Sequence, residues 1–283
     1  VGAGKIGRAI AKLLADSGDY AITVGDLAAP ALARLADIPR VATRVVDVAD
    51  PIALAAAAAG YDSVISACSY GVNPGIARAA LAAGASYFDL TEDVATTRIV
   101  RDLATQARPG QIFMPQCGLA PGFINIAGHH LTVGFERLDQ VKLRVGALPQ
   151  FPVGELKYNL TWSTDGLINE YCNPCEVVHE GEKREVLALE GLEHFSIDGV
   201  DYEAFNTSGG LGTVWETLAG RVRALDYKTV RYRGHRDLVH FLIDELQLRN
   251  RRDLLKELLE RVKNGDASIE SAVSDLRQLP FAD

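Results

Sequence analysis

The sequence predicts an α/β protein: a doubly wound parallel sheet whose first strand is missing, with an inserted mixed α/β domain after it. Three observations carry this expectation. Val1-Gly2-Ala3-Gly4-Lys5-Ile6-Gly7-Arg8 reads G-x-G-x-x-G and runs straight into a helical pattern. From Tyr20 to Pro115 short apolar runs alternate with helix-length segments, which is the signature of βαβ units and a parallel sheet. Near Phe123 that alternation gives way to strand-like runs separated by turns, as in antiparallel pairing.

The opening turn has the spacing of a Rossmann dinucleotide-binding motif. Gly2 allows the tight turn out of a strand, Gly4 lets the backbone approach a pyrophosphate, and Gly7 lets the helix pack closely. Ala3, Lys5 and Ile6 fill the turn, so residues 2–7 are all expected to touch the cofactor, with the helix N-terminus facing its phosphates. Tyr20 to Gly25 reads as a strand ending in Asp26, near the spacing at which an acidic residue binds the ribose hydroxyls. A carboxylate there repels a 2′-phosphate, so the expected cofactor is NAD rather than NADP. Before Gly2 only Val1 remains of the strand that normally precedes the turn, and a piece of about five apolar residues is expected to be missing from the N-terminus.

The remaining elements follow in order. Ala31–Ala36 is a short helix, and Val41–Val46 a strand ending in Asp47-Val48. A helix opens at Asp50-Pro51, and Tyr61–Ala67 is an apolar strand running into Cys68. Pro74–Ala83 is a helix stopped by Gly84, Ala85–Leu90 a strand ending in Thr91-Glu92-Asp93, Thr96–Ala107 a helix and Gln111–Pro115 the last strand. In such sheets ligands bind beyond the carboxyl ends of the strands, so Asp47, Val48, Ala67 and Cys68 join the expected cofactor site. Later, Ile124–Val133, Asp165–Glu170 and Thr213–Leu218 read as helices. Gln140–Ala147, Leu156–Trp162, Glu176–His179, Arg184–Ala188 and Tyr227–Tyr232 read as strands, and an amphipathic helix covers Asp237–Leu246. The expected domains are 1–123 for the dinucleotide and 124–234 for the substrate. A helix at 235–252 returns to the first domain, and 253–283 forms a helical hairpin.

Composition excludes some classes. The chain has 283 residues, 48% hydrophobic content and a net charge of −8, which argues against nucleic acid as the main partner. No apolar run approaches the length of a membrane span, and a cytoplasmic protein is expected. Cys172-Asn173-Pro174-Cys175 is a C-x-x-C without a second pair or nearby histidines, so it reads as reduced thiols and not as a metal site.

Between Gln116 and His235, Gly118-Leu119-Ala120-Pro121-Gly122, Thr161-Trp162-Ser163, Tyr202-Glu203-Ala204-Phe205, Ser208-Gly209-Gly210-Leu211 and Lys228 to His235, with Asp89-Leu90-Thr91-Glu92-Asp93 before them, form a set of motifs in fixed order. They resemble those of the saccharopine dehydrogenase family, including its lysine 6-dehydrogenase-like members. The resemblance covers roughly residues 1 to 250 and ends near Leu255. Thr164 and Arg233 stand where the family often carries proline. The resemblance implies a homodimer and hydride transfer between a nicotinamide and a carbon bearing nitrogen in an amino-acid-derived amine, with saccharopine and lysine the expected substrates.

That chemistry needs cations for carboxylates and a group to take the amine proton. Arg221, Arg223, Lys228, Arg231, Arg233, His235 and Arg236 crowd one stretch of an otherwise acidic protein. Arg231 and Arg233 share one face of a strand, and arginine binds both oxygens of a carboxylate. These two, with Trp162 from the family-like motif, are the expected substrate contacts. For acid–base work the candidates are His235, Glu92 and Asp93, the last also placed to cap a helix. A non-catalytic dinucleotide-binding redox sensor is the alternative from another class, and substrate-dependent NADH formation separates the two.

Overall fold

Parallel strands come first. In the computed structural model, which describes residues 1–160 and 162–264 together with Ser268, Ser271 and Ser274, β1 (Ile22–Asp26) pairs with β2 (Val41–Val45). In a second sheet β3 (Ser63–Ser66), β4 (Ser86–Asp89) and β5 (Phe113–Met114) lie side by side, again parallel. The helices α1 (Lys5–Ser17), α2 (Ala29–Ala33), α3 (Pro51–Ala58), α4 (Asn73–Ala83) and α5 (Val94–Ala104) are the crossovers. Their limits follow local chemistry. Gly18 and Gly84 end α1 and α4 in the left-handed conformation, at φ 83° and 76°. The Asp50 side chain accepts from Ile52 N–H and Ala53 N–H to start α3.

The sheet is split where a doubly wound fold carries its first strand. The backbone of Val1 and Gly2 reaches both halves. The Val1 amino group donates to Ile65 O (2.6 Å), Ala67 N–H donates to Val1 O (2.8 Å), and Gly2 N–H donates to Gly25 O (2.8 Å). A slot lined by Thr23, Gly25, Val46, Leu54, Val64 and Ile76 runs between β1 and β3. This unit, Val1–Phe123, packs around Ile76, Tyr87 and Val100, all fully buried.

The second unit begins at Ile124. After α6 (Phe123–Thr132), a six-stranded sheet is ordered β8-β7-β11-β10-β9, with β6 alongside β11. The strands are β6 (Leu138–Val145), β7 (Cys175–His179), β8 (Glu182–Val186), β9 (Glu193–Ile197), β10 (Val200–Asn206) and β11 (Val222–Tyr232). All pairings are antiparallel except β6 with β11. Among the described residues, α7 (Thr164–Cys172), α8 (Val214–Thr217), α9 (His235–His240), continued by a wider turn over Phe241–Glu245, and α10 (Arg252–Asn264) complete it. Gly210 explains one family-like motif, since a Cβ there would lie 2.2 Å from the Tyr227 ring.

Several expectations are corrected. Over the described residues of the stretch 156–162, which reads as a strand, no strand forms. Leu156, Tyr158, Leu160 and Trp162 alternate as a strand would, yet pack directly on the core of the second unit, and Lys157 adopts φ 49°. β9 and β10, which flank the turn at Asp198-Gly199, are not among the strands expected from the sequence. The first half of the expected C-terminal hairpin is α10, and it is no appendage: Leu255, Leu258 and Leu259 are buried in the same core as Leu167 and Ile168 of α7. Thr164, one of the departures from the family pattern, bonds through its hydroxyl to Glu260 on α10. The second half of that hairpin, with Ile269, Ala272, Val273 and Leu276, lies outside the described residues. Val239, Leu242 and Ile243 of the helix expected to return to the first domain are buried in this second core.

Candidate active site

The glycine turn of the first unit is built to exclude side chains. At Gly2 (φ 98°) a Cβ would sit 2.9 Å from Ala67 O, and at Gly7 it would sit 1.8 Å from Gly2 O. Around Gly4 the space is open within 4 Å. Gly4 caps α1 without a side-chain bond, which leaves first-turn N–H groups for a ligand. Ala3 is buried, whereas Lys5 and Ile6 are exposed. One residue beyond Gly7, the buried Nε of Arg8 has no partner among the described residues. An uncapped helix start, a glycine cradle and an unanswered guanidinium nitrogen fit a dinucleotide pyrophosphate.

Asp26 holds this turn. Its Oδ2 accepts Ala3 N–H at 2.6 Å and its Oδ1 accepts Ala28 N–H at 2.8 Å. Ala67 and Cys68 stand behind Gly2, and burial pushes the Cys68 thiol pKa up. Asp47 and Val48 are less committed. Asp47 accepts Ala49 N–H (2.8 Å) in a local turn, and Val48 packs on the apolar core.

At the carboxyl end of β4 lie three carboxylates with different tasks. Asp89 is fully buried, where its Oδ1 accepts Thr91 N–H (3.0 Å) and Gln116 N–H (3.1 Å), and its Oδ2 accepts the Tyr87 hydroxyl (3.0 Å). It thereby ties the loop after β4 to the loop after β5. Asp93 caps α5, accepting Thr96 N–H at 2.7 Å. Glu92 differs from both. Its Oε1 is buried and has no partner among the described residues. Burial, then the nearby charges of Asp93 and Asp89, push its pKa up to about 7. Sequence reasoning missed Asp89 as an anchor, although its place at a strand's carboxyl end was the available signal.

In the second unit β11 delivers Arg231 into the core, 4% exposed. Its guanidinium lies 4.2 Å from the Tyr158 ring centroid, and its Nε donates to the Tyr171 hydroxyl at 3.0 Å. Tyr171 and His235 Nε2 are 3.0 Å apart, and His235 Nδ1 is 2.8 Å from Leu156 O. A carbonyl can only accept, so Nδ1 carries the ring hydrogen and Nε2 accepts from Tyr171. Both ring nitrogens are therefore taken. Burial, then the Arg231 charge, push the His235 pKa down to about 3. The imidazole expected to serve acid–base work is thus fully buried, with both ring nitrogens engaged inside the second unit. Glu203 fixes its backbone: Oε2 accepts Gly234 N–H (3.0 Å) and Oε1 accepts Arg236 N–H (2.6 Å).

Arg233 does not join Arg231. It follows the last residue of β11, is exposed, and lies 3.7 Å from Asp201 and 3.5 Å from His194 Nδ1. Trp162 does join, through Nε1–H to the Tyr158 hydroxyl at 2.9 Å. Tyr158 and Tyr171 were not singled out in the sequence because aromatic residues at strand or helix spacing read as core.

Comparison with known proteins agrees with this architecture. Residues 1–114 match the saccharopine dehydrogenase NADP-binding domain, and residues 118–274 match the saccharopine dehydrogenase C-terminal domain. The second match runs well past Leu255, where the motif-level resemblance ends. Among solved structures, the fold is similar to an apo saccharopine dehydrogenase (L-Glu forming) from Saccharomyces cerevisiae, with a TM-score of 0.69 and 21% identity. That alignment covers 86% of this chain and 56% of the yeast chain, so the chain spans little more than half the length of that relative. A weaker likeness is to a biliverdin reductase from Synechocystis solved with biliverdin and NADP+, with a TM-score of 0.35, 13% identity, and coverage of 78% of this chain and 69% of that one. With both domain matches in sequence order, the chain belongs to the saccharopine dehydrogenase family.

Proposed function

We propose that this chain is the dinucleotide- and substrate-binding part of an NAD-dependent dehydrogenase acting at a C–N bond of an amino-acid-derived amine, with saccharopine or the lysine ε-carbon as its target. The observation that carries the reading is Glu92, a buried carboxylate with an unpartnered oxygen and a pKa raised to about 7, at the sheet end where this fold binds ligands. When bound, the nicotinamide dinucleotide supplies the hydride acceptor or donor for the carbon that bears nitrogen. Gly2, Ala3, Gly4 and Gly7 hold its pyrophosphate, and Asp26 faces its ribose. Although the matched domain is described as NADP-binding, the Asp26 carboxylate favours the unphosphorylated ribose. Glu92 takes the amine proton in the oxidative direction and returns it in the reductive one. Within the second unit, Arg231, with Trp162 nearby, is the cation suited to a carboxylate. A homodimer in the cytoplasm is the setting we infer, from the family resemblance alone.

The test is substrate-dependent NADH formation, with NAD and lysine or saccharopine in turn. A rise in NADH absorbance with either supports the reading. NAD binding by calorimetry with no rise for any C–N donor tried would favour a dinucleotide sensor.

A further inference from the structure

Asp89, the last residue of β4, has no exposed surface, yet three donors converge on its side chain. Thr91 N–H (3.0 Å) and Gln116 N–H (3.1 Å) reach Oδ1, and the Tyr87 hydroxyl (3.0 Å) reaches Oδ2. Its backbone oxygen accepts Cys117 N–H at 2.7 Å. Three donors on two oxygens suit the ionised form. Burial pushes the Asp89 pKa up, and those same three bonds oppose it.

The tie continues past Asp89. Thr91 gives its N–H to Asp89 and accepts Asp93 N–H on Oγ1 at 3.1 Å, while Asp93 spends Oδ1 on Thr96 N–H. Both chain neighbours of Glu92 are therefore held by backbone bonds. Glu92 stands between them with Oε1 buried and without a partner among the described residues. The charged groups that face it are Asp93, at the start of α5, and Asp89, at the end of β4. Asp93 sits at a helix N-terminus, whose dipole answers its charge. The titratable neighbours of Asp89 carry no countercharge: burial and the Asp89 charge push both the Tyr87 phenol and the Cys117 thiol towards their neutral forms.

We propose that Asp89 is a positioning residue for Glu92: its carboxylate holds the loop that carries Glu92 and is the fixed negative charge beside which Glu92 takes up and releases a proton. The inference rests on the reading of Glu92 as the group that exchanges the amine proton. It adds that the Asp89 charge, and not burial alone, sets the pH at which Glu92 becomes a base.

Asp89→Asn keeps an oxygen for the Thr91 and Gln116 N–H groups and removes the charge. The experiment is a carbon-13 NMR titration of side-chain carboxyl groups, with Glu92→Gln assigning the Glu92 signal. The pH profile of kcat/KM for NAD reduction is followed over the same range. The Glu92 midpoint is expected near pH 7 in the wild type. In Asp89→Asn it should move to lower pH by about half a unit or more, and the rising limb of kcat/KM should move with it. Should Asp89→Asn not fold, reciprocity supplies a second measurement. The wild-type Asp89 carboxyl should show an inflection at the Glu92 midpoint that is absent from Glu92→Gln. An unmoved Glu92 midpoint, or no such inflection at Asp89, overturns the role of Asp89 and leaves the Glu92 reading standing. A midpoint that moves while the kcat/KM limb stays in place, or while no amine reduces NAD, removes Glu92 as the proton-exchanging group and the assignment of Asp89 with it.

Discussion

Tyr171 donates its hydroxyl hydrogen to Nε2 of His235 while accepting one from Arg231 Nε, each across 3.0 Å. The direction is forced from both ends, because a guanidinium cannot accept and Leu156 O cannot donate. Charging His235 would turn its Nε2 into a donor aimed at a hydroxyl that already gives its hydrogen to it. The fold therefore holds the imidazole neutral, beside the Arg231 cation.

This neutrality makes stability depend on acid. The folded pKa is depressed to about 3 from an ordinary 6.5. Between these values the unfolded chain binds a proton that the folded chain refuses, so stability falls as pH drops from about 6.5 towards 3. The expected loss is a few kcal/mol by linkage. Urea unfolding of the wild type and His235→Gln from pH 7 to pH 4 checks it, since only the wild type should carry this part of the slope. Parallel slopes would refute it.

Glu92 behaves in the opposite sense. Its folded pKa is raised to about 7 from 4.5. Protonated Glu92 is favoured in the folded state, so its contribution is present below pH 4.5 and lost as pH rises through 7. Glu92→Gln should therefore be more stable than the wild type at pH 8. In catalysis, oxidation needs the carboxylate, and kcat/KM for NAD reduction should rise with pH through about 7. In Glu92→Gln that limb should vanish and kcat fall ~10²–10⁴-fold. A variant with the wild-type pH profile would place the base elsewhere.

Much of the first unit was legible because its signals are local. Glycine spacing, Asp50 and Asp93 as helix caps, and apolar runs of strand length each act within a few residues. The second unit depended on distant partners. Arg231 is buried because Tyr158 and Tyr171 cover it from segments separated by many residues, and no local pattern distinguishes it from the exposed Arg233. Leu156 to Trp162 has strand periodicity without a strand partner, so alternation reported burial correctly and pairing wrongly. Leu255 and Leu258 resembled a surface hairpin because the α7 groove that receives them is invisible in their own stretch.

Asp26 offers a test of cofactor choice that also probes the glycine turn. Replacing it by Asn keeps an oxygen for the Ala3 N–H bond, seen at 2.6 Å, and removes the charge proposed to disfavour a 2′-phosphate. The NAD-to-NADP ratio of dissociation constants should shift towards NADP by about tenfold or more. Loss of binding for both dinucleotides would show instead that the charge is needed to hold the turn. An unchanged ratio would mean that Asp26 does not face the ribose.

The docking of α10 is the last relationship with a measurable consequence. Leu255 is 2% exposed, within the core that contains Leu167 and Ile168. Lys256 reaches Asp165 at 2.8 Å, and Arg252 reaches Asn169 at 3.0 Å and Asn173 at 2.7 Å, so polar contacts border the apolar one. Leu255→Ala should cost ~2–5 kcal/mol, as for a large-to-small change in a packed core. The exposed Lys256→Ala should cost ~0–1 kcal/mol, because a solvated ion pair contributes little. Denaturant melts of both variants distinguish an integral helix from an appended one: equal, small effects would mean that α10 is dispensable to the second unit.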